Sequence, residues 1–296
     1  MFYFLMRLLL LLVLFALGSC AQLFFHPEKE YVLTPQDLRV PYQDVYFHAK
    51  DGTRLHGWFL PAHGESVATV LFLHGNAQNI STHIASVYWL TERRFDVFLL
   101  DYRGYGASQG RPSFDGIHAD ADAALQHLVE EMDTDAEALI VFGQSLGGSV
   151  AIWVVARTPY RHKIKALVVE GAFASYPQLA QEKLAQLWLT WPLQLIPYVT
   201  VSGAYDAVKA VSSVSPIPLI IIHGEADPIV PVAHAHRLYQ AAQEPKQLWL
   251  VPGGGHIEAF SKTAYRERLV GYLYKLSEKD HRQDGRHRGD ASLGDP

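Results

Sequence analysis

Three residues whose types together can activate a hydroxyl stand far apart in this chain: Ser145, Asp227 and His256. Ser145 is the centre of Gly143-Gln144-Ser145-Leu146-Gly147. Before it lies a short apolar, partly β-branched run (residues 138–142), and after it residues 146–155 carry small and apolar side chains at helical spacing. Strand, G-x-S-x-G, helix describes a sharp turn that lifts a serine hydroxyl clear of a sheet. Crowding at such a turn excludes a bulky Cβ two residues to either side, which Gly143 and Gly147 satisfy, and Gly148 lets the helix start close to the strand. Asp227 follows the apolar run 218–222 through His223-Gly224-Glu225-Ala226. His256 follows residues 248–251 through Pro252-Gly253-Gly254-Gly255. Both sit just past the C-terminal end of a predicted strand, the edge where open parallel sheets assemble sites. A serine, a histidine that takes its proton and a carboxylate that orients the histidine would perform nucleophilic acyl transfer. The motif alone leaves an ordinary strand-to-helix turn with an incidental serine as the alternative.

Two further motifs, His74-Gly75-Asn76 and Asp101-Tyr102-Arg103-Gly104-Tyr105-Gly106, complete a set spread over about residues 41–276. On these motifs the chain resembles alpha/beta-hydrolases, in the serine-aminopeptidase-like branch that includes alpha/beta-hydrolase-domain lipases and depalmitoylases. Serine, acid, histidine is also the chain order of that fold's triad. The resemblance implies an α/β fold, a mostly parallel twisted sheet with helices on both faces and a small helical cap inserted at residues 172–214. It implies Ser145, Asp227 and His256 as catalytic residues, and an oxyanion hole built from the backbone N–H groups of Asn76 and Leu146. The reaction it implies needs no metal and no organic cofactor.

The elements that must position these residues are spaced through the chain. Asp51-Gly52 between two strand-like runs (residues 45–48 and 55–60) predicts an opening hairpin. Strands are expected at 67–73, 95–100 and 165–171, and helices at 81–94, 115–132 and 258–276. The sheet rhythm breaks from 172 to 217. There Ala180, Leu184, Leu187, Trp188 and Trp191 recur at helical spacing, until Pro192 and Pro197 interrupt. That stripe either glues the cap to the core or lines a groove for an acyl chain. Phe173, Leu184, Trp188 and Trp191 are the candidate substrate-binding residues. His74 and His223 each precede a glycine at a strand end and read as structural. His234 and His236 lack a third ligand or H-E-x-x-H spacing, so no metal site is expected. The glycines after Asp101 do not have dinucleotide-loop spacing. Residues 21–40 are proline-punctuated and read as a tether. Residues 277–296 are nearly all charged, polar or glycine and are expected to be disordered.

With 296 residues, 49% of them hydrophobic, and a net charge of −5, the chain has the makings of one large α/β domain and gives no sign of nucleic-acid binding. Its single cysteine excludes an intramolecular disulfide. Residues 1–17 are almost wholly apolar, interrupted by Arg7 and followed by Gly18-Ser19-Cys20, which reads as an export signal. Its end resembles a bacterial lipobox, whose cysteine becomes a lipidated N-terminus. The uninterrupted run 8–17 falls short of the roughly 20 residues of a membrane span, although an uncleaved anchor and a buried cysteine are the alternatives. The expectation is an envelope lipoprotein anchored through Cys20, its domain outside the cytoplasm. Ala21 after the cysteine, rather than Asp, resembles the pattern of lipoproteins passed to an outer membrane. No protein partner is evident. The function expected is hydrolysis of ester or thioester bonds of lipid-like acyl substrates, such as a monoacylglycerol or lysophospholipid. A serine peptidase and a non-catalytic envelope lipoprotein are the competing readings.

Overall fold

Runs of β-branched and apolar residues buried on both faces favour parallel strands, and they form the sheet here. The computed structural model describes residues 25–132, 138–186 and 188–290, with the backbone alone for 277–290. Eight strands make one sheet: β1 (Gln43–His48), β2 (Arg54–Leu60), β3 (Ala68–Leu73), β4 (Phe95–Asp101), β5 (Leu139–Gln144), β6 (Ile164–Glu170), β7 (Leu219–Gly224) and β8 (Lys246–Val251). Their spatial order is β1-β2-β4-β3-β5-β6-β7-β8. The β1–β2 hairpin and the β2–β4 pair are antiparallel, and every other pairing is parallel. This is the α/β architecture that the resemblance implies.

The period-2 geometry of strands divides the core in two. On β5, Leu139 and Val141 face one layer while Ile140 and Phe142 face the other. The first layer packs α1 (Phe114–Glu130), α2 (Leu146–Val155) and α4 (Ala233–Ala241). Leu269 and Leu273 of α5 (Thr263–Asp290) pack in the second. Each fully buried Leu, Ile or Val contributes about 1.5–3 kcal/mol. The sheet is therefore a stiff platform for whatever its C-terminal edge carries. Helix α1 starts where Ser113 accepts the Gly116 N–H at 3.0 Å, a side-chain cap for an otherwise unsatisfied donor.

The structure departs from the sequence reading in four places. The helix expected at 81–94 is a broken run: one turn at Ile80–His83, then 3₁₀ turns at Ile84–Ser86 and Tyr88–Arg93. Val87 lies between them with φ −135°, and the β-branched, hydroxylated and aromatic residues of this stretch are poor helix formers. Residues 25–42 do not hang free as a tether. Phe25 is buried against Phe114, and His26–Pro27 pairs in parallel with Ala77–Gln78. Asn79 Nδ2 also donates to the Glu28 and Glu30 carbonyls. Beyond that two-residue pairing, turns and side chains satisfy the segment's backbone, so it shows no hydrophobic period.

The final helix starts at Thr263, since Ile257 has φ +49° and Lys262 is extended. Its helical backbone is assigned to Asp290, with the backbone alone described over the stretch from Ser277. Extending an existing helix adds one bond per residue fixed and avoids the nucleation cost, so polar residues can follow a docked stem. In the cap, α3 is Tyr176–Gln186, ending before the tryptophans that were expected to extend it. Residues 1–24, 133–137, Leu187 and 291–296 lie outside the described residues, and with them the export signal and Cys20.

Candidate active site

Ser145 joins β5 to α2 with φ +53° and ψ −116°, a backbone region that side-chain-bearing residues rarely occupy. The turn is pinned from both sides. Ser145 N–H donates to the Glu170 carbonyl at 2.8 Å, and the Ser145 carbonyl accepts from Gly148 N–H at 3.1 Å. A Cβ on Gly147 would sit 2.0 Å from the Leu73 carbonyl oxygen, and one on Gly143 would sit 2.3 Å from that of Gly147. Contact, not only conformation, therefore demands glycine at both. Leu146 opens α2, so its N–H has no intrahelical acceptor and lies at the positive end of the helix dipole. Gly75 lies alongside: a Cβ there would be 3.5 Å from Ser145 Cβ. Asn76, next in the chain, is held by Tyr105, whose hydroxyl donates to the Asn76 carbonyl at 2.8 Å.

Asp227 and His256 meet beyond the ends of β7 and β8, with His256 Nδ1 2.7 Å from Asp227 Oδ2. The other carboxylate oxygen accepts the N–H groups of Ile229 (2.8 Å) and Val230 (2.9 Å). His223 Nε2 lies 3.3 Å from Oδ2 and donates to the Val230 carbonyl at 2.8 Å. Burial works to raise the Asp227 pKa, but hydrogen bonds from His223, His256 and Val230 outweigh it and hold the carboxyl well below the usual range. An ionised Oδ2 accepts only, so Nδ1 of His256 carries the proton and Nε2 is left as the basic nitrogen. The imidazole packs on the end of β6, its Cε1 3.1 Å from where a Gly171 Cβ would be. Gly171 follows Glu170, whose carbonyl holds Ser145 N–H, so the elbow and the histidine loop converge on one strand end.

A cavity of about 530 Å³ opens at Ser145, Leu146 and Asn76. Of the candidate substrate-binding residues, Phe173 and Leu184 line it. Trp188 and Trp191 do not. They are 87% and 58% exposed, so they neither line a groove nor glue the cap to the core. Their helical spacing with Leu184 loses its meaning once α3 ends at Gln186. His26, from the segment read as a tether, forms part of the wall instead.

Residues 64–215 match the family model described as Serine aminopeptidase, S33. The chain belongs to this family of alpha/beta-hydrolases, and it is a serine hydrolase. Similarity extends well beyond the matched region. The uncharacterized protein YfhR of Escherichia coli K12 is 38% identical over 281 residues, covering 89% of this chain and 93% of YfhR. The alpha/beta hydrolase domain-containing protein WAV2 of Arabidopsis thaliana is 34% identical over 269 residues, 86% of each chain. Among solved structures, an esterase of Pyrococcus furiosus superposes with a TM-score of 0.68 at 20% identity, covering 86% of this chain and 98% of the esterase. That last likeness is one of fold.

This hydrolase holds a second cluster of the same residue types. His56 and Asp101 are buried 3.3 Å apart, with Ser81 also buried. Ser81 Oγ donates to Asn79 Oδ1 at 2.6 Å and accepts the Val32 N–H at 2.9 Å. His56 Nε2 faces Asp44 Oδ1 at 2.8 Å, while its Nδ1 faces Tyr31 and Asp101. Tyr31 donates to Asp101 Oδ2, and Asp101 Oδ1 accepts the Ile80 N–H. Every partner is structural, and the network ties the N-terminal segment to the sheet. His234 is likewise engaged: Nδ1 accepts the Ala174 N–H at 3.0 Å and Nε2 faces Glu182 at 2.9 Å, joining α4 to the cap helix.

Sequence reasoning missed Glu170, which underpins the candidate site. Its buried carboxylate accepts from Gln144 Nε2 and from Ala259 N–H, each at 2.7 Å, linking the elbow strand to the histidine loop. A lone acid ending an apolar strand was the available signal. Burial raises its pKa to about 7, against the pull of those two bonds. The folded value exceeds the unfolded one, so between about pH 4.5 and 7 the native state holds a proton that the unfolded chain has lost. Stability therefore falls as pH rises through that window, and the loss is complete above it. Glu170→Gln removes this titration. The Tm difference between Glu170→Gln and wild type should be more favourable to the variant at pH 8 than at pH 5, by the equivalent of roughly 2–3 kcal/mol. Calorimetry at the two pH values measures it, and a pH-independent difference would refute the assignment.

Proposed function

We propose that this serine hydrolase cleaves carboxylic ester or thioester bonds of acyl substrates through an acyl-enzyme formed at Ser145. His256 Nε2 takes the Ser145 proton as Oγ attacks the carbonyl, and Asp227 stabilises the imidazolium that forms. The oxyanion is received by the N–H groups of Leu146 and Asn76, rigid donors that need little reorganisation. His256 then protonates the leaving group, and water attacks the acyl-enzyme with His256 as base. In the same proposal the apolar N-terminal segment, lipidated at Cys20, holds the enzyme at a bacterial envelope membrane.

The observation that carries the substrate class is the apolar wall beside Ser145, where Phe173, Leu179, Leu184, Ile196, Val201 and Val230 face one cavity. Esterases are among the solved structures of like fold. An aminopeptidase is the second reading, raised by the family's description. It needs a carboxylate to meet the free α-ammonium of a peptide, and the described lining of the cavity holds no Asp or Glu.

Burying a CH₂ contributes about 0.8 kcal/mol, so kcat/KM should rise roughly fourfold per methylene until the cavity is filled. The test is a p-nitrophenyl ester series from acetyl to dodecanoyl, with thioesters and aminoacyl p-nitroanilides alongside and Ser145→Ala as the blank. Leu184→Trp, which narrows the cavity, should move the optimum to shorter chains. The reading fails if acetyl esters are cleaved as fast as octanoyl ones, or if aminoacyl amides are the better substrates.

A further inference from the structure

The cap that covers this cavity turns apolar side chains outward as well as inward. From Trp188 to Val201 the sequence contains no Asp, Glu, Lys or Arg. Within it Trp188, Leu189, Leu195 and Val199 are 87%, 72%, 69% and 82% exposed. Such concentrations of exposed apolar surface mark protein or membrane contacts. The stretch meets the cavity mouth at Ile196, which is 44% exposed and also lines the cavity. Ile229, 46% exposed, stands on the same rim.

The N-terminus decides between occupants. His26 is part of the cavity wall, and the buried Phe25 precedes it. Only residues 18–24 separate Phe25 from the apolar run 8–17. Seven residues span at most about 25 Å when fully extended. An apolar segment or lipid that held the chain to a membrane would therefore stay tethered within about 25 Å of Phe25, next to the cavity wall that His26 and Ile196 share. Tryptophan and tyrosine without charged neighbours suit the interfacial layer of a bilayer.

We propose that residues 188–201 of the cap dock into the lipid interface, so that the cavity mouth opens onto the bilayer and an acyl substrate enters from the membrane, not from water. The docking face is a second, separate contact beside the N-terminal anchor, and it fixes the orientation that an anchor alone leaves free. The substrate route rests on the proposed acyl hydrolase activity, whereas the docking itself does not.

The test uses the full-length chain reconstituted in zwitterionic phosphatidylcholine vesicles. Trp58, Trp89 and Trp249 are buried and Trp153 is half-buried beneath Arg157, so Trp188 and Trp191 are the exposed reporters of the cap. Phosphatidylcholine brominated in the acyl chains should quench wild-type fluorescence at low and high salt alike, because the docking stretch is uncharged. Leu189→Asp with Val199→Asp, two exposed positions outside the cavity wall, should abolish that quenching while the anchor keeps the protein on the vesicle. The same double variant should cleave a water-soluble butyrate ester at the wild-type rate, but a long-chain ester dissolved in the vesicle about tenfold more slowly. Equal quenching of wild type and variant overturns the proposal. So does a variant that changes the oligomeric state in detergent and leaves quenching intact, which would assign the face to a second copy of the chain. An enzyme that cleaves neither ester, yet is quenched as expected, defeats the hydrolase reading and leaves the docking standing.

Discussion

Ser145→Gly is expected to lower kcat on the order of 10⁶-fold while leaving the protein slightly more stable than wild type. The loss of rate follows if Oγ is the attacking atom, since removing the nucleophile of a serine hydrolase leaves little beyond binding and the oxyanion donors. The gain follows from the backbone. Ser145 is held at φ +53° and ψ −116° by the Glu170 and Gly148 hydrogen bonds. Conformations of this kind cost about 1–3 kcal/mol for a residue with a Cβ. Glycine removes that strain, although its greater freedom in the unfolded chain returns about 0.5–1 kcal/mol of the gain. The expected net is about 1 kcal/mol. Ser145→Ala provides the control, because alanine keeps the Cβ and so keeps the strain. Calorimetry should place alanine near wild type and glycine above both. A glycine variant that melts several degrees below wild type would mean that the elbow is not strained.

How much of this could be read beforehand depends on the range of the interaction. The elbow was legible because its needs are local: glycines two residues either side of Ser145 are forced by contacts with Leu73 and with the turn itself. Asp227 and His256 were legible because each follows a strand of continuous apolar residues, and the sheet's C-terminal edge brings such loops together whatever lies between them. Strand positions came through for the same reason, since burial on both faces leaves an unmistakable apolar run.

Features set by distant contacts did not come through. Glu170 matters because Gln144 and Ala259, far apart in sequence, both hydrogen-bond its carboxylate. His26 is brought to the cavity wall by a short pairing with Ala77–Gln78 and by contacts of its neighbours Phe25 and Glu28, and no period marks it. The cap misled more directly. Its apolar spacing was read as one helix with one inward face, but α3 stops at Gln186 and the residues beyond it turn outward. Hydrophobic spacing records that surface must be covered, and leaves open what covers it. His56 with Asp101 shows the converse: the right residue types, buried and adjacent, are locked into holding the N-terminal segment in place.

Asp227→Asn should preserve the fold yet reduce kcat by about 10⁴-fold with little change in KM, the pattern expected when a substitution leaves geometry intact and reverses a tautomer. Two backbone donors decide the orientation of the new amide. Oδ1 accepts the Ile229 and Val230 N–H groups, and turning the amide to place NH₂ there would forfeit both bonds. The NH₂ must therefore take the position of Oδ2, 2.7 Å from His256 Nδ1 in the wild type. A donor at that point requires Nδ1 to accept, which moves the imidazole proton to Nε2, where the base should be. The variant should also lose stability at neutral pH. The Asp227 carboxyl is held below its unfolded value, so its contribution is full above about pH 4 and disappears as pH falls through the folded value. The destabilisation should be on the order of 2 kcal/mol at pH 7 and shrink below pH 4. Steady-state kinetics on the preferred ester, with thermal melts at the two pH values, measures both. Turnover within tenfold of wild type would remove Asp227 from the reaction and leave the 2.7 Å contact as a purely structural one.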